Sequence, residues 1–276
     1  MMSNSFPSNV LAASAAIATT LLVSATSAVA TEVTVTIDNL APDQGLVLTP
    51  LWVGFHDGSF DLYDPGAPAS AGLESISEDG RPMALSEAFN TDSEVATSEV
   101  ADSEAADGED ASDTARQDGV ITGVGLSPDA PPLIPPGTSA TMTFTLQEGQ
   151  QYFSYASMVL PSNDGFIGNE SGTAHRLFDA EGNFIGTELI IIGSHVQDAG
   201  TEVNDEAPEN VPLLGQASPN TGTAEGGTVA RHTGFAADGN VLQAFPGADL
   251  SQDLYPIARI RVVAAEDTAD EVPAAE

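Results

Sequence analysis

The chain contains no cysteine and no lysine. Without cysteine there is no disulfide framework and no thiol nucleophile. Without lysine, six arginines face 41 aspartates and glutamates, a formal charge of -35. Such a surface repels nucleic acid, which proteins bind by releasing counterions from its phosphates. It attracts cations, and its self-repulsion opposes the compact state at low ionic strength. An acid excess with lysine absent suits salty surroundings, where screening shortens repulsion to about 3 Å in molar salt. Aromatics are scarce at 6%, with one tryptophan. Also missing are a nucleophile elbow, a phosphate-binding glycine loop and a zinc His-Glu pattern, and the four histidines are widely spaced. The chain therefore reads as non-enzymatic. Its many carboxylates leave a carboxylate-dependent hydrolase as a weaker alternative, with no pair singled out for the work.

What is present begins with an export signal. Val10 to Val23 is apolar and rich in alanine and leucine, and Ala28-Val-Ala30 fits a small-x-small cleavage pattern. Residues 1–30 read as a signal peptide and Thr31 as the start of the mature protein. No later stretch is long and apolar enough to span a bilayer. The expected location is secreted or periplasmic.

Strand periodicity dominates the remainder. Thr31 to Asp38 places Val33, Val35 and Ile37 on one face and Thr34 and Thr36 on the other. Val47 to Phe55 is a second strand, which Pro50 assigns to an edge or a bulge; Trp52 within it belongs to the core. The turn His56-Asp57-Gly58 admits a metal or triad reading, weakened by the absence of a second histidine nearby in sequence. Ala69 to Ser77 suits a short helix with Ser70 as N-cap and Glu74 in its first turn. Met83 to Phe89 adds a helical turn or two that offers Met83, Leu85 and Phe89 to the core. Thr91 to Asp118 is almost wholly acidic and small residues, which cannot bury enough apolar surface to offset their ordering entropy. It reads as a disordered acidic insertion.

Val120 to Leu126 returns to strand composition. Ser139 to Leu146 alternates cleanly, and Tyr152 to Leu160 reads as its hairpin partner. Leu189 to Ile192 is a continuous apolar run inside Thr187–Gly193, typical of a strand covered on both faces. Asn204 to Gly227 is a long loop. Tyr255 to Val263 closes the sheet, with Arg259 and Arg261 directed outward. The predicted fold is an all-β antiparallel β-sandwich with a few short helical segments, one domain over residues 31–264, followed by an acidic tail at 265–276.

Two loops carry the candidate chemistry. One holds Asp164 after the apolar run that breaks at Pro161; the other, Asp198-Ala-Gly-Thr-Glu202, turns at Gly200. Carboxylate-bearing loops at strand ends are how a sandwich holds a hard, oxygen-loving cation such as calcium. The same residue types are also the commonest turn formers, so residue identity alone favours an ordinary solvated turn in so acidic a chain.

The run Ser157-Met-Val-Leu-Pro-Ser-Asn-Asp-Gly-Phe-Ile-Gly168 resembles the Ser-Met-x-x-Pro-Ser-x-Asp-x-Phe-x-Gly segment of the spondin amino-terminal domain, found in F-spondin, mindin and bacterial secreted proteins. Asp198-Ala-Gly-Thr-Glu202 is similar to that family's Asp-Ala-Gly-Thr-Asp. Leu48 to His56, Gly66 to Gly80 and Gly227 to Phe235 resemble further family segments in the same order. The resemblance implies a β-sandwich with bound Ca2+ and marks Asp164, Asp198 and Glu202 as metal ligands. Glu202 stands where the animal proteins have aspartate, and Gly165 where they carry tryptophan. It also implies adhesion or recognition of an extracellular or cell-surface protein or polysaccharide. The alternative is a structural envelope or matrix protein whose calcium is only a staple.

The charge excess gives the first prediction. Raising monovalent salt from about 10 mM to about 1 M shortens the Debye length from about 30 Å to about 3 Å. The thermal midpoint should climb across that series; a midpoint flat in salt would show that net charge does not limit stability.

Overall fold

The computed structural model describes residues 30–98, 116–127, 131–252 and 254–265. Two antiparallel sheets pack face to face. One has four strands: β1 (Thr31–Asn39), β5 (Ser139–Leu146), β8 (Thr187–Ile192) and β11 (Pro256–Ala264), in the order β5-β1-β11-β8. The other has seven. Its main path runs β10 (Ala230–Arg231), β9 (Gln197–Asp198), β7 (Gly165–Gly168), β6 (Tyr152–Leu160), β3 (Leu51–His56) and β4 (Gln117–Ile121), and β2 (Val47–Leu48) pairs with β6 off this path. The predicted architecture of two antiparallel sheets with a few helices is what the chain adopts.

The alternation in β1 sends Val33, Val35 and Ile37 to full burial between the sheets. Phe55, Phe144 and Phe153 from three other strands complete that core, their rings 5.0 to 5.6 Å apart. A second apolar cluster lies on the opposite face of the seven-stranded sheet, beneath two helices. Helix α1 (Ala71–Asp79) starts as its sequence predicts, with the Ser70 hydroxyl accepting from Leu73 N at 3.2 Å. It stops at Gly80, whose φ of 62° is the left-handed conformation that glycine adopts without strain. Helix α2 (Met83–Ser98) lays Leu85 and Phe89 against the fully buried Trp52. Phe89 meets the Trp52 ring edge-on at 5.2 Å.

Several expectations are corrected. The strand expected over Val47–Phe55 is broken at Thr49-Pro50; proline cannot donate to the ladder, and β3 lies inside the sheet between β6 and β4. Ser139–Leu146 and Tyr152–Leu160 have the predicted bounds but are not a hairpin. β5 pairs with β1 and β6 with β3 and β7, so the turn between them carries the chain from one sheet to the other. Met83 is 77% exposed rather than core, because it opens α2 on the side away from the sheet. Helix α2 covers Thr91–Ser98 and β4 begins at Gln117, so the acidic insertion expected at about 91–118 is ordered at both ends, and its middle, 99–115, lies outside the described residues. The expected signal peptide (apart from Ala30) and acidic tail (apart from Ala265) lie outside them too. β8 is not covered on both faces: it is the terminal strand of its sheet, and Ile190 is 52% exposed. A short helix, α3 (Asn240–Ala244), was not foreseen.

Phe89 fixes the helical layer to the sheet. Phe89→Ala is expected to lower stability by about 3–5 kcal/mol, read from urea unfolding. Met83→Ala in the same helix should change it by less than about 0.5 kcal/mol.

Candidate functional site

The site lies where β6 turns into β7 and meets the strand end at β9. The chain leaves β6 through a cis Leu160–Pro161 bond into Ser162-Asn163-Asp164. Ser162 Oγ accepts from Gly165 N at 3.0 Å and donates to Val159 O, which tightens the turn. A Cβ at Gly165 would sit 2.6 Å from Ser162 Oγ, so a side chain here would displace the hydroxyl that tightens the turn. Gly165 stands directly opposite Asp198 in the β7–β9 register.

Asp164 is fully buried. Its Oδ2 accepts three hydrogen bonds: from Thr201 N at 2.9 Å, Glu202 N at 3.1 Å and the Thr201 hydroxyl at 3.2 Å. Its Oδ1 is buried with no donor. The loops interlock further, with Ala199 N donating to Asp164 O at 3.2 Å and the Asn163 amide donating to Glu202 O at 3.0 Å. Burial pushes the Asp164 carboxyl up to about 6, the nearby Asp198 charge pushes the same way, and the N–H donors act against both.

Asp198 is half-buried. Its carboxylate accepts from Gly200 N at 2.7 Å and from the Asn204 side-chain amide. The predicted turn at Gly200 is real: its φ is 68°, and a Cβ there would lie 2.6 Å from Thr228 backbone atoms. Glu202 is 3% exposed, and its Oε1 accepts from Gly222 N at 3.0 Å. Burial pushes its carboxyl up to about 7, and Glu78 is the next cause.

Glu78 is the member that sequence reasoning missed. It sits in the last turn of α1 at 5% exposure, and burial raises its carboxyl. Asp79 follows it, with Oδ2 3.4 Å from Arg81 and Oδ1 buried without a donor. Acidic groups at the negative end of a helix work against its dipole. An acidic pair closing a predicted helix was the available signal, but the expected helix ended at Ser77, one residue short of it.

The structure therefore brings the three sequence candidates to one end of the sandwich. Asp164 and Asp198 stand side by side. Glu202 joins through its backbone N–H, while its carboxylate is turned toward Glu78 and Gly222. Among the described residues no three His, Cys, Asp or Glu side chains are grouped so as to hold one metal ion.

Neighbouring features give the site its setting. His232 is 6% exposed; its Nδ1 accepts from Gly234 N at 2.9 Å, which leaves the proton on Nε2, and Nε2 is buried without a partner. A groove of about 340 Å³ has Glu78 and Asp79 in its wall beside Leu126, Leu133, Met158 and Leu213. The His56-Asp57 pair is not a dyad. His56 Nδ1 accepts from Gly58 N at 3.0 Å, its Nε2 meets Ser154 Oγ at 2.9 Å, and Asp57 instead accepts from Ser59 N. His56 and Ser154 are both fully buried, and burial pushes the imidazole down to about 4. Among the described residues no helix is long and apolar enough to cross a membrane. Comparison with known protein families and with curated proteins returns no match.

The raised carboxyls set a pH dependence in chelator. Their values in the folded chain, about 6 and about 7, lie above the ordinary 3.8 and 4.5. The folded state thus holds protons that the unfolded state releases, and stability falls as pH rises through that window. The protein without divalent ions should be more stable near pH 5 than near pH 8. Asp164→Asn should flatten the fall; an unchanged slope would place the effect elsewhere.

Proposed function

We propose that this chain is an exported, non-catalytic β-sandwich module that binds calcium at the Asp164 end and uses that end for recognition outside the cell. The single observation that carries the reading is Asp164 Oδ1, a fully buried carboxylate oxygen with no donor, beside a second carboxylate. A buried carboxylate oxygen left without a donor is costly, and a cation is a partner that suits it. The donors fit a hard ion in kind, because every candidate ligand is oxygen. Asp164 Oδ1 and the Asp198 carboxylate would hold the ion, and Glu202 and Glu78 would add negative charge close by. Main-chain carbonyls and water would complete the shell. Bound there, the ion supplies electrostatic neutralisation and no chemical step.

Recognition is favoured over a bare staple by the groove whose wall includes Glu78 and Asp79. A concave surface that combines exposed leucines with polar side chains beside a cation site is a place for a partner, and binding residues sit preferentially on loops held by a rigid scaffold. The partner class is an extracellular or cell-surface protein or polysaccharide.

The test is thermal unfolding in high monovalent salt, with calcium and then with chelator. Calcium should raise the midpoint through linkage, and Asp164→Ala or Asp198→Ala should weaken calcium affinity at least about tenfold, roughly 1.4 kcal/mol. An affinity untouched by both substitutions rejects the site.

A further inference from the structure

The four-stranded sheet ends at β8, whose only strand neighbour among the described residues is β11. Alternate N–H and C=O groups of such a strand point away from the sheet and are a template for another strand. Edges are commonly blunted with lysine, proline or a run of charge. This one has none of these: it reads Thr-Glu-Leu-Ile-Ile-Ile, with a single charge at Glu188. Ile190 is 52% exposed on the strand, and Ile185 is 59% exposed just before it.

The electrostatics of the edge differ from those of the molecule. In register, Glu188 lies beside Arg261 and Ile190 beside Arg259, and the same two arginines flank Thr36 and Asp38 on β1. Arg259 Nε is 2.8 Å from Asp38 Oδ2, and Arg261 is 3.9 Å from it. Two arginines thus stand against three carboxylates, Glu32, Asp38 and Glu188, along this outer face, which is close to balance on a chain of formal charge -35 with only six arginines. A second copy meets less repulsion here than an average patch of its surface would impose.

We propose that β8 is the pairing edge for a second copy of this chain, joined antiparallel about a two-fold axis, so that the two four-stranded sheets become continuous. A two-fold contact needs a self-complementary patch. With Ile190 opposite its own copy, each Glu188 falls across from the partner's Ile192, and the two glutamates do not face each other. The open main-chain groups of Glu188 and Ile190 find partners, the exposed His195 ring that holds Ile192 N–H at 3.3 Å is displaced, and the exposed isoleucines are covered. The contact involves no residue of the cation site.

Sedimentation equilibrium of the full chain in molar salt, where repulsion is screened to about 3 Å, tests this. The chain should sediment as a reversible dimer. Ile190→Lys should raise the dimer dissociation constant by about tenfold or more, and Ile190→Thr, which keeps a β-branched residue on the strand, should raise it less. Met83→Ser, which removes a side chain 77% exposed on α2, should leave it unchanged. Thermal midpoints of the two Ile190 variants measured on monomer confirm that they fold. A wild-type chain monomeric throughout the concentration series, or a dimer that both Ile190 variants leave intact, overturns the proposal.

Discussion

Burial of the Asp164 carboxylate is the constraint on which one end of the sandwich depends. Removing such a charge from water costs several kcal/mol even after relaxation. The chain answers with three donors on one oxygen, all from Thr201 and Glu202. Those donors are also what positions the second loop, so the carboxylate defines the conformation of the segment that satisfies it. The arrangement is incomplete at Oδ1. Glu78 and Glu202 compound it by burying two more carboxyls near each other, one of them at the negative end of α1. A positive ion at Oδ1, as proposed, would offset the Asp164 charge and lessen the repulsion among the acids around it.

Basic side chains are too few in this protein to neutralise its acids, and the structure spends them on particular joints. Arg116 lies over the Phe60 and Phe89 rings at 5.6 and 5.2 Å and donates to Phe89 O, which ties α2 to the start of β4. Arg259 and Arg261 share Asp38 across β1 and β11. Arg81 meets Asp79 at the end of α1 but is itself well exposed, so solvent screens that pair and it contributes little. The Asp164 end is left with backbone donors as its main internal compensation.

Period-two alternation is legible where one face of a strand meets the core: β1 and β5 fall where their side-chain patterns place them, while β6, buried on both faces, reads as an apolar run. Pairing was not legible, because alternation records which face is buried and carries nothing about the neighbour. The short turn after Leu146 suits a hairpin, yet it joins two different sheets. The apolar run Leu189–Ile192 misled for a related reason. A strand covered on both faces and an apolar sheet edge have the same composition, and only tertiary placement separates them. Asp164 and Asp198 were legible as loop carboxylates, and Gly200 as the turn between the ligand candidates. Glu78 was not, since its proximity to Glu202 comes from the packing of α1 against the sheet, across more than a hundred residues of chain.

Protons and cations are alternatives at these oxygens. Carboxyls pushed up to about 6 and about 7 are substantially protonated just where an ordinary surface carboxylate is fully charged. A proton removes the repulsion one group at a time, and at the cost of the ligand, because a protonated oxygen no longer offers its charge to a metal. A divalent ion removes it for several groups together and requires them ionised, so binding near neutral pH expels the protons that burial retains. High monovalent salt does little in either direction, since a fully buried oxygen lies beyond the reach of the screening that relieves the surface. The proposed site would therefore distinguish a specific cation from a salty medium, which the general acidity of the chain does not.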